Sequence, residues 1–90
     1  MNVKDAVKKA TEYIADVFYS ESPESIGLEE VILNEDANTW EVTIGFSRPW
    51  DYPKAGLVTG FQPQNPKRQY KIVRIDNKSG EVKSIKIREI

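Results

Sequence analysis

Basic and aromatic side chains interleave through residues 48–70: Arg48, Trp50, Tyr52, Lys54, Phe61, Lys67, Arg68 and Tyr70. Two kinds of chemistry follow from that mixture. Guanidinium and ammonium groups can track phosphates while aromatic rings stack on bases. The same residue types, Trp, Tyr and Arg above all, anchor protein–protein interfaces. Neither use requires a cofactor or a metal, and the sequence leads us to expect neither.

Catalytic parts are scarce. The chain contains no histidine and no cysteine, which removes His-dependent triads, Cys nucleophiles, Cys-based zinc sites and disulfides. Serine and threonine hydroxyls therefore have no imidazole to activate them, and nothing in the sequence marks a Ser–Lys pair. Glu29 and Glu30 are adjacent in sequence, as are Glu35 and Asp36. Neighbouring strand residues point to opposite faces, so no shared-proton dyad follows. Asn34, Glu35 and Asp36 offer oxygen ligands but lack the alternation and glycine of a calcium loop. Gly56 to Gly60 is not followed by the Gly-Lys-Ser/Thr of a phosphate loop. Pro63-Gln64-Asn65-Pro66-Lys67 fits a polyproline ligand form, and also the simpler role of stiffening a loop that enters a strand. The expectation is a protein that binds rather than catalyses.

The elements that must position these residues fit one domain spanning 1–90, near the lower end of independently folding sizes. Hydrophobic residues make up 39% of the chain and charged residues 30%, which is enough apolar content for one core and too little bias for disorder. The N-terminal "MNVKDAVKKATEY" has no apolar run of signal-peptide length, and no stretch reaches membrane-span length. With the absence of cysteine, this leads to the expectation of a cytoplasmic protein.

The net charge of -1 conceals an asymmetry. Residues 1–45 carry -7 and residues 46–90 carry +6. One reading gives the second half an anionic partner. The reading favoured here pairs the halves across a single sheet, with Lys71, Arg74, Lys83, Lys86 and Arg88 of the last hairpin beside Glu29, Glu30 and Glu41.

Val3, Ala6, Val7, Ala10, Tyr13, Ile14, Val17 and Phe18 recur at helical spacing, so the sequence predicts a helix that ends near Ser20. Asn2 can cap it, with Asp5 at the favourable end of the helix dipole, and Ser22 before Pro23 can cap one further turn. "IGLEEVILNEDANTWEVTIGF" then reads as a hairpin. Trp40, Val42, Ile44 and Phe46 share one face of its second strand. Its first strand changes parity between Leu28 and Val31, which calls for a bulge near Glu29–Glu30 or burial on both faces.

"YKIVRIDNKSGEVKSIKIREI" reads as a second hairpin whose turn needs a left-handed residue at Gly80. Tyr70 and Ile72 differ in parity from Val73 and Ile75, so a bulge or twisted end is expected there as well. The run from Tyr70 through Asp76 and Gly80 to Val82 resembles the PepSY and cystatin-like small domains, where an aromatic-led strand ends in D-x-x-x-G-x-V. That resemblance implies a helix lying on an antiparallel sheet, and an inhibitory or regulatory binding role.

The resulting expectation is an α+β fold of order α-β-β-β-β. One N-terminal helix packs on a four-stranded antiparallel meander, with a long loop or β-arm between strands 2 and 3. Leu57, Thr59 and Phe61 alternate well enough for that arm to contain a short strand. The expected contact surface is this segment, with Arg48, Trp50, Tyr52, Lys54, Phe61, Lys67 and Arg68 meeting an unidentified protein partner. The structural alternative places Trp50 and Tyr52 in the core. The functional alternative is a nucleic-acid-binding accessory domain that adds the C-terminal hairpin to the same segment. No membrane contact is expected, and the chain is expected to be a monomer or a weak homodimer.

Overall fold

The computed structural model describes residues 1–51 and 67–88. Helix α1 (Val3–Val17) is followed by a single 3-10 turn, Tyr19–Glu21, and then by strands β1 (Glu24–Asn34) and β2 (Thr39–Ser47). A second 3-10 turn, Pro49–Asp51, precedes β3 (Gln69–Asp76) and β4 (Val82–Ile87). The strands form one antiparallel sheet in the order β1-β2-β3-β4. This is the α-β-β-β-β meander expected from the sequence.

Helix α1 begins where its first turn can be satisfied. The Asn2 side chain accepts the Asp5 N–H at 2.9 Å, and the Asp5 carboxylate accepts the Asn2 N–H at 3.1 Å. This reciprocal pair satisfies two of the donors that a helix start leaves open. The helix ends at Val17, slightly before Ser20. Ser22 does not start a further turn. It closes the Tyr19–Glu21 turn in a left-handed conformation (φ 49°), with its N–H donated to the Tyr19 carbonyl.

Ala6, Ala10 and Ile14 carry the helix into the core, where they meet Val42, Ile44 and Phe46 of β2 and Val73 and Ile75 of β3. The two alanines let the helix backbone approach the sheet closely. Phe18 adds a tilted ring contact to Phe46 at 5.3 Å between centroids. Val3 and Val17, at the ends of the predicted stripe, remain exposed. Trp40 packs against the edge of the core and donates its indole N–H to Asn77 Oδ1 at 2.7 Å. Asn77 in turn donates to Asn38 Oδ1 at 2.9 Å, so the two hairpin turns are tied together beside the Trp40 ring.

Register explains the parity breaks. Leu28 pairs with Ile44 and Glu30 with Thr43, which leaves Glu29 as the extra residue of a bulge in β1. The C-terminal hairpin differs from expectation. Strand β3 alternates without interruption against β2, so Tyr70 and Ile72 simply lie on the face away from the helix. The irregularity sits on the opposite strand, where Arg74 pairs with Ser84 and Ile75 with Val82, leaving Lys83 as the extra residue. Gly80 adopts φ 76° and donates its N–H to the Asp76 carbonyl at 2.8 Å, as a left-handed turn residue should.

The face away from the helix has no element packed on it among the described residues, yet Thr39, Thr43 and Ser47 are buried there. Strand β2 presents only short side chains and Gly45 at these alternate positions apart from Glu41. Long charged side chains of the neighbouring strands fold over them. Arg74 meets Glu41 at 3.5 Å, Arg68 meets Glu29 at 3.6 Å, and Arg88 meets Glu30 at 3.6 Å while donating to Thr43 Oγ1. Lys83 donates to Thr39 Oγ1 at 3.0 Å. The aliphatic stems cover the strand while the charged ends stay hydrated. Each of these three ion pairs joins an acid of the first half to an arginine of the second. Part of the charge asymmetry of the sequence is thus paired across the sheet.

Candidate functional site

The chain leaves β2 at Ser47 and re-enters the sheet at Gln69. Between these points, the Lys67 N–H donates to the Asp51 carbonyl at 2.9 Å, so the two ends of residues 52–66 are held side by side. Of the residues singled out in the sequence, Arg48, Trp50, Lys67 and Arg68 gather at this foot. Tyr52, Lys54 and Phe61 lie outside the described residues. So do the candidate strand at 56–61 and most of the proline-x-x-proline stretch.

Pro49 opens the 3-10 turn with a fixed φ and no N–H to satisfy. The turn brings Asp51 back under Arg48. Asp51 Oδ2 accepts the Arg48 N–H at 2.8 Å and Arg48 Nε at 3.0 Å, while Asp51 Oδ1 accepts Arg48 Nη2 at 3.1 Å. The remaining Arg48 nitrogen, Nη1, reaches Glu21 Oε1 at 3.3 Å and so links the foot to the turn after α1. Hydrogen bonding from the Arg48 side chain holds the Asp51 carboxyl below its ordinary range, against a smaller opposing effect of burial. The same hydrogen bonds raise the pKa of Arg48, so the pair is fully ionised across the physiological range.

The Arg48 guanidinium carbon stands 5.1 Å from the centroid of the Trp50 ring, within cation–π range. Trp50 is nevertheless 61% exposed. The core placement of Trp50 is therefore wrong. A proline turn and a pinned arginine place this indole at the surface, and among the described residues no apolar burial accounts for its position.

Arg68 is also committed. Its Nη2 donates to the Ser25 carbonyl at 3.0 Å and lies 3.6 Å from Glu29 Oε1. That geometry requires Gly45 beneath it: a Cβ at position 45 would stand 2.8 Å from Glu29 Oε1 and 2.9 Å from Arg68 Nη2. Ser25, like Ser22, has a positive φ of 54°, a strained conformation for a serine. Lys67 is exposed.

The site therefore divides into clamps and presenters. Arg48 and Arg68 fasten the foot to Glu21, Glu29, Asp51 and the Ser25 carbonyl, whereas Trp50 and Lys67 face solvent. The sequence reading missed Glu21 and Asp51, and set Glu29 beside the cations of the last hairpin rather than beside Arg68. The local signal for one of them was Arg48-Pro49-Trp50-Asp51, where a proline-initiated turn returns an acid to an arginine three residues earlier. Glu21 and Glu29 carried no such signal, because their contacts depend on how β1 lies beside β2. Among the described residues, no group of three His, Cys, Asp or Glu side chains is placed to hold a metal ion, and no helix is long and apolar enough to cross a membrane. Comparison with known proteins adds no relative: no family model, curated protein or solved structure matches the chain.

Proposed function

We propose that the chain is a small interaction or regulatory module that works by binding a protein partner. Its contact surface is the 48–68 segment, centred on Trp50 and Lys67. One observation carries this reading: a tryptophan is 61% exposed beside an arginine that is itself pinned by hydrogen bonds to Asp51 and stands 5.1 Å from the indole centroid. An indole that already packs against a pinned guanidinium has less side-chain freedom to lose on entering an interface, and Trp is among the most effective interface anchors. A regulatory role of the PepSY type, in the cytoplasm, is consistent with that reading.

The nucleic-acid alternative draws less support. Arg48, Arg68, Arg74 and Arg88 each lie within 4.0 Å of a carboxylate of the same chain. A phosphate would have to displace those partners before gaining anything. Titration with a single-stranded oligonucleotide at low and moderate salt separates the readings. No binding at low salt is the expected result, and salt-sensitive binding lost in Trp50→Ala would establish the alternative instead.

A further inference from the structure

Two cavities lie on the β1 side of α1, one toward each end of the helix. At one end is a cavity of about 320 Å³, lined by Val3, Lys4, Val7, Lys8, Leu28 and Val31. At the other is a cavity of about 460 Å³, lined by Ala15, Tyr19, Ser20, Ser22, Pro23 and Ile26. Val3, Val7 and Ala15 belong to a single row of helix positions four apart, and Tyr19 follows just past the helix end, so the two cavities border the same side of the helix along the edge strand β1. Leu28 is 46% exposed in the wall of the first, and Tyr19 is 81% exposed beside the second.

The next row outward on the helix is Lys4, Lys8, Glu12 and Asp16, all exposed. None of the four forms a salt bridge among the described residues. Two cations followed by two anions make a row that is complementary to itself when reversed. A second copy of α1, antiparallel and related by a two-fold axis near Ala10, sets Lys4 opposite Asp16 and Lys8 opposite Glu12, each twice. A parallel copy would set like charges together. The same reversal brings Tyr19 of each copy to the end where the other copy's apolar cavity opens.

We infer that the chain self-associates through this side of α1 as a two-fold dimer. The Tyr19 ring of each copy enters the cavity formed by Val3, Val7, Leu28 and Val31 of the other, flanked by the Lys4–Asp16 and Lys8–Glu12 pairs. The contact is isologous and closes at two copies. It uses neither Trp50 nor Lys67, so it stands independently of the proposed partner surface.

Sedimentation velocity of the whole chain over a wide concentration range tests the inference. The expected result is a monomer–dimer equilibrium that weakens as salt is raised. The double variant K4E/K8E makes the row wholly acidic, and E12K/D16K makes it wholly basic. Each alone should weaken the dimer about tenfold or more, because four attractive contacts become repulsive. Mixed in equal amounts, the two should form a heterodimer. Tyr19→Ala should weaken the dimer by about tenfold or more, with an unchanged thermal midpoint at concentrations where both proteins are monomeric. A wild-type monomer at every concentration overturns the inference, as does a dimer indifferent to these charge changes or a mixture that stays monomeric.

Discussion

Asp51 holds Arg48 by three hydrogen bonds at once, one from its main-chain N–H at 2.8 Å and two from its guanidinium at 3.0 and 3.1 Å. The aspartate also fixes the foot through its own carbonyl, which accepts the Lys67 N–H. Asp51→Ala should therefore loosen both the arginine and the turn. We expect a loss of about 1–3 kcal/mol in urea unfolding, the usual cost of stranding a charged hydrogen-bond partner. A loss indistinguishable from zero would show that the clamp is ornamental.

Acid stability follows from the same residue. Asp51 has a lowered pKa, mainly through the Arg48 side chain, and Asp76 has one through hydrogen bonds from Ser79, with a lesser contribution from Lys78. A carboxyl whose folded pKa lies below its unfolded value binds fewer protons when folded. Its stabilisation is complete above the ordinary carboxylate range and is lost as pH falls through the lower folded value. Stability should thus rise with pH on the acid side, and Asp51→Asn should flatten that rise without altering the slope above neutrality. Thermal midpoints measured from strongly acid to neutral pH decide the point; an unchanged acid slope contradicts it.

The two tryptophans should behave as opposites. Trp40 lies against the core and its indole N–H satisfies Asn77, so Trp40→Ala should cost about 3 kcal/mol or more. Trp50→Ala removes an exposed ring and should change stability by less than about 1 kcal/mol. Equal losses for the two would remove the distinction between core and surface tryptophan on which the proposed site depends.

Gly45 offers a test of the covered open face. The methyl of Gly45→Ala would strike the ends of Glu29 and Arg68, both flexible, so the expected cost is only about 0.5–1 kcal/mol after displacement of their ion pair. In an Arg68→Ala background that cost should shrink, because one of the two displaced groups and the ion pair are already gone. A double-mutant cycle with strictly additive losses would mean that Arg68 does not lie over Gly45.

Much of this arrangement was legible in the sequence because it is local or periodic. The alternation from Trp40 to Phe46, the Asn2 cap, the left-handed Gly80 and the Glu29–Glu30 bulge all depend on residues close together in the chain. The pairing of acidic and basic halves could be read from charge balance, because like charges cannot crowd one small sheet. Three features were not legible. The bulge at Lys83 is invisible, since Val82 to Ile87 fits more than one register until β3 fixes it. Glu21 reaches Arg48 only because β1 and β2 bring distant segments to the same end of the sheet. The sequence left Trp50 open between contact surface and core, because exposure runs against the average behaviour of its residue type, and the geometry of the proline turn decides it. The small residues Thr39, Thr43, Gly45 and Ser47, alternating on a central strand, did carry a signal that something long lies over them.

The central claim is that Trp50 presents a contact surface, and it is tested most directly by affinity capture with wild-type protein and Trp50→Ala side by side, with thermal unfolding of both. The account predicts a partner retained by the wild type and lost from the variant, at nearly equal thermal midpoints. Retention of the same partner by Trp50→Ala, or loss accompanied by collapse of the thermal transition, would contradict it.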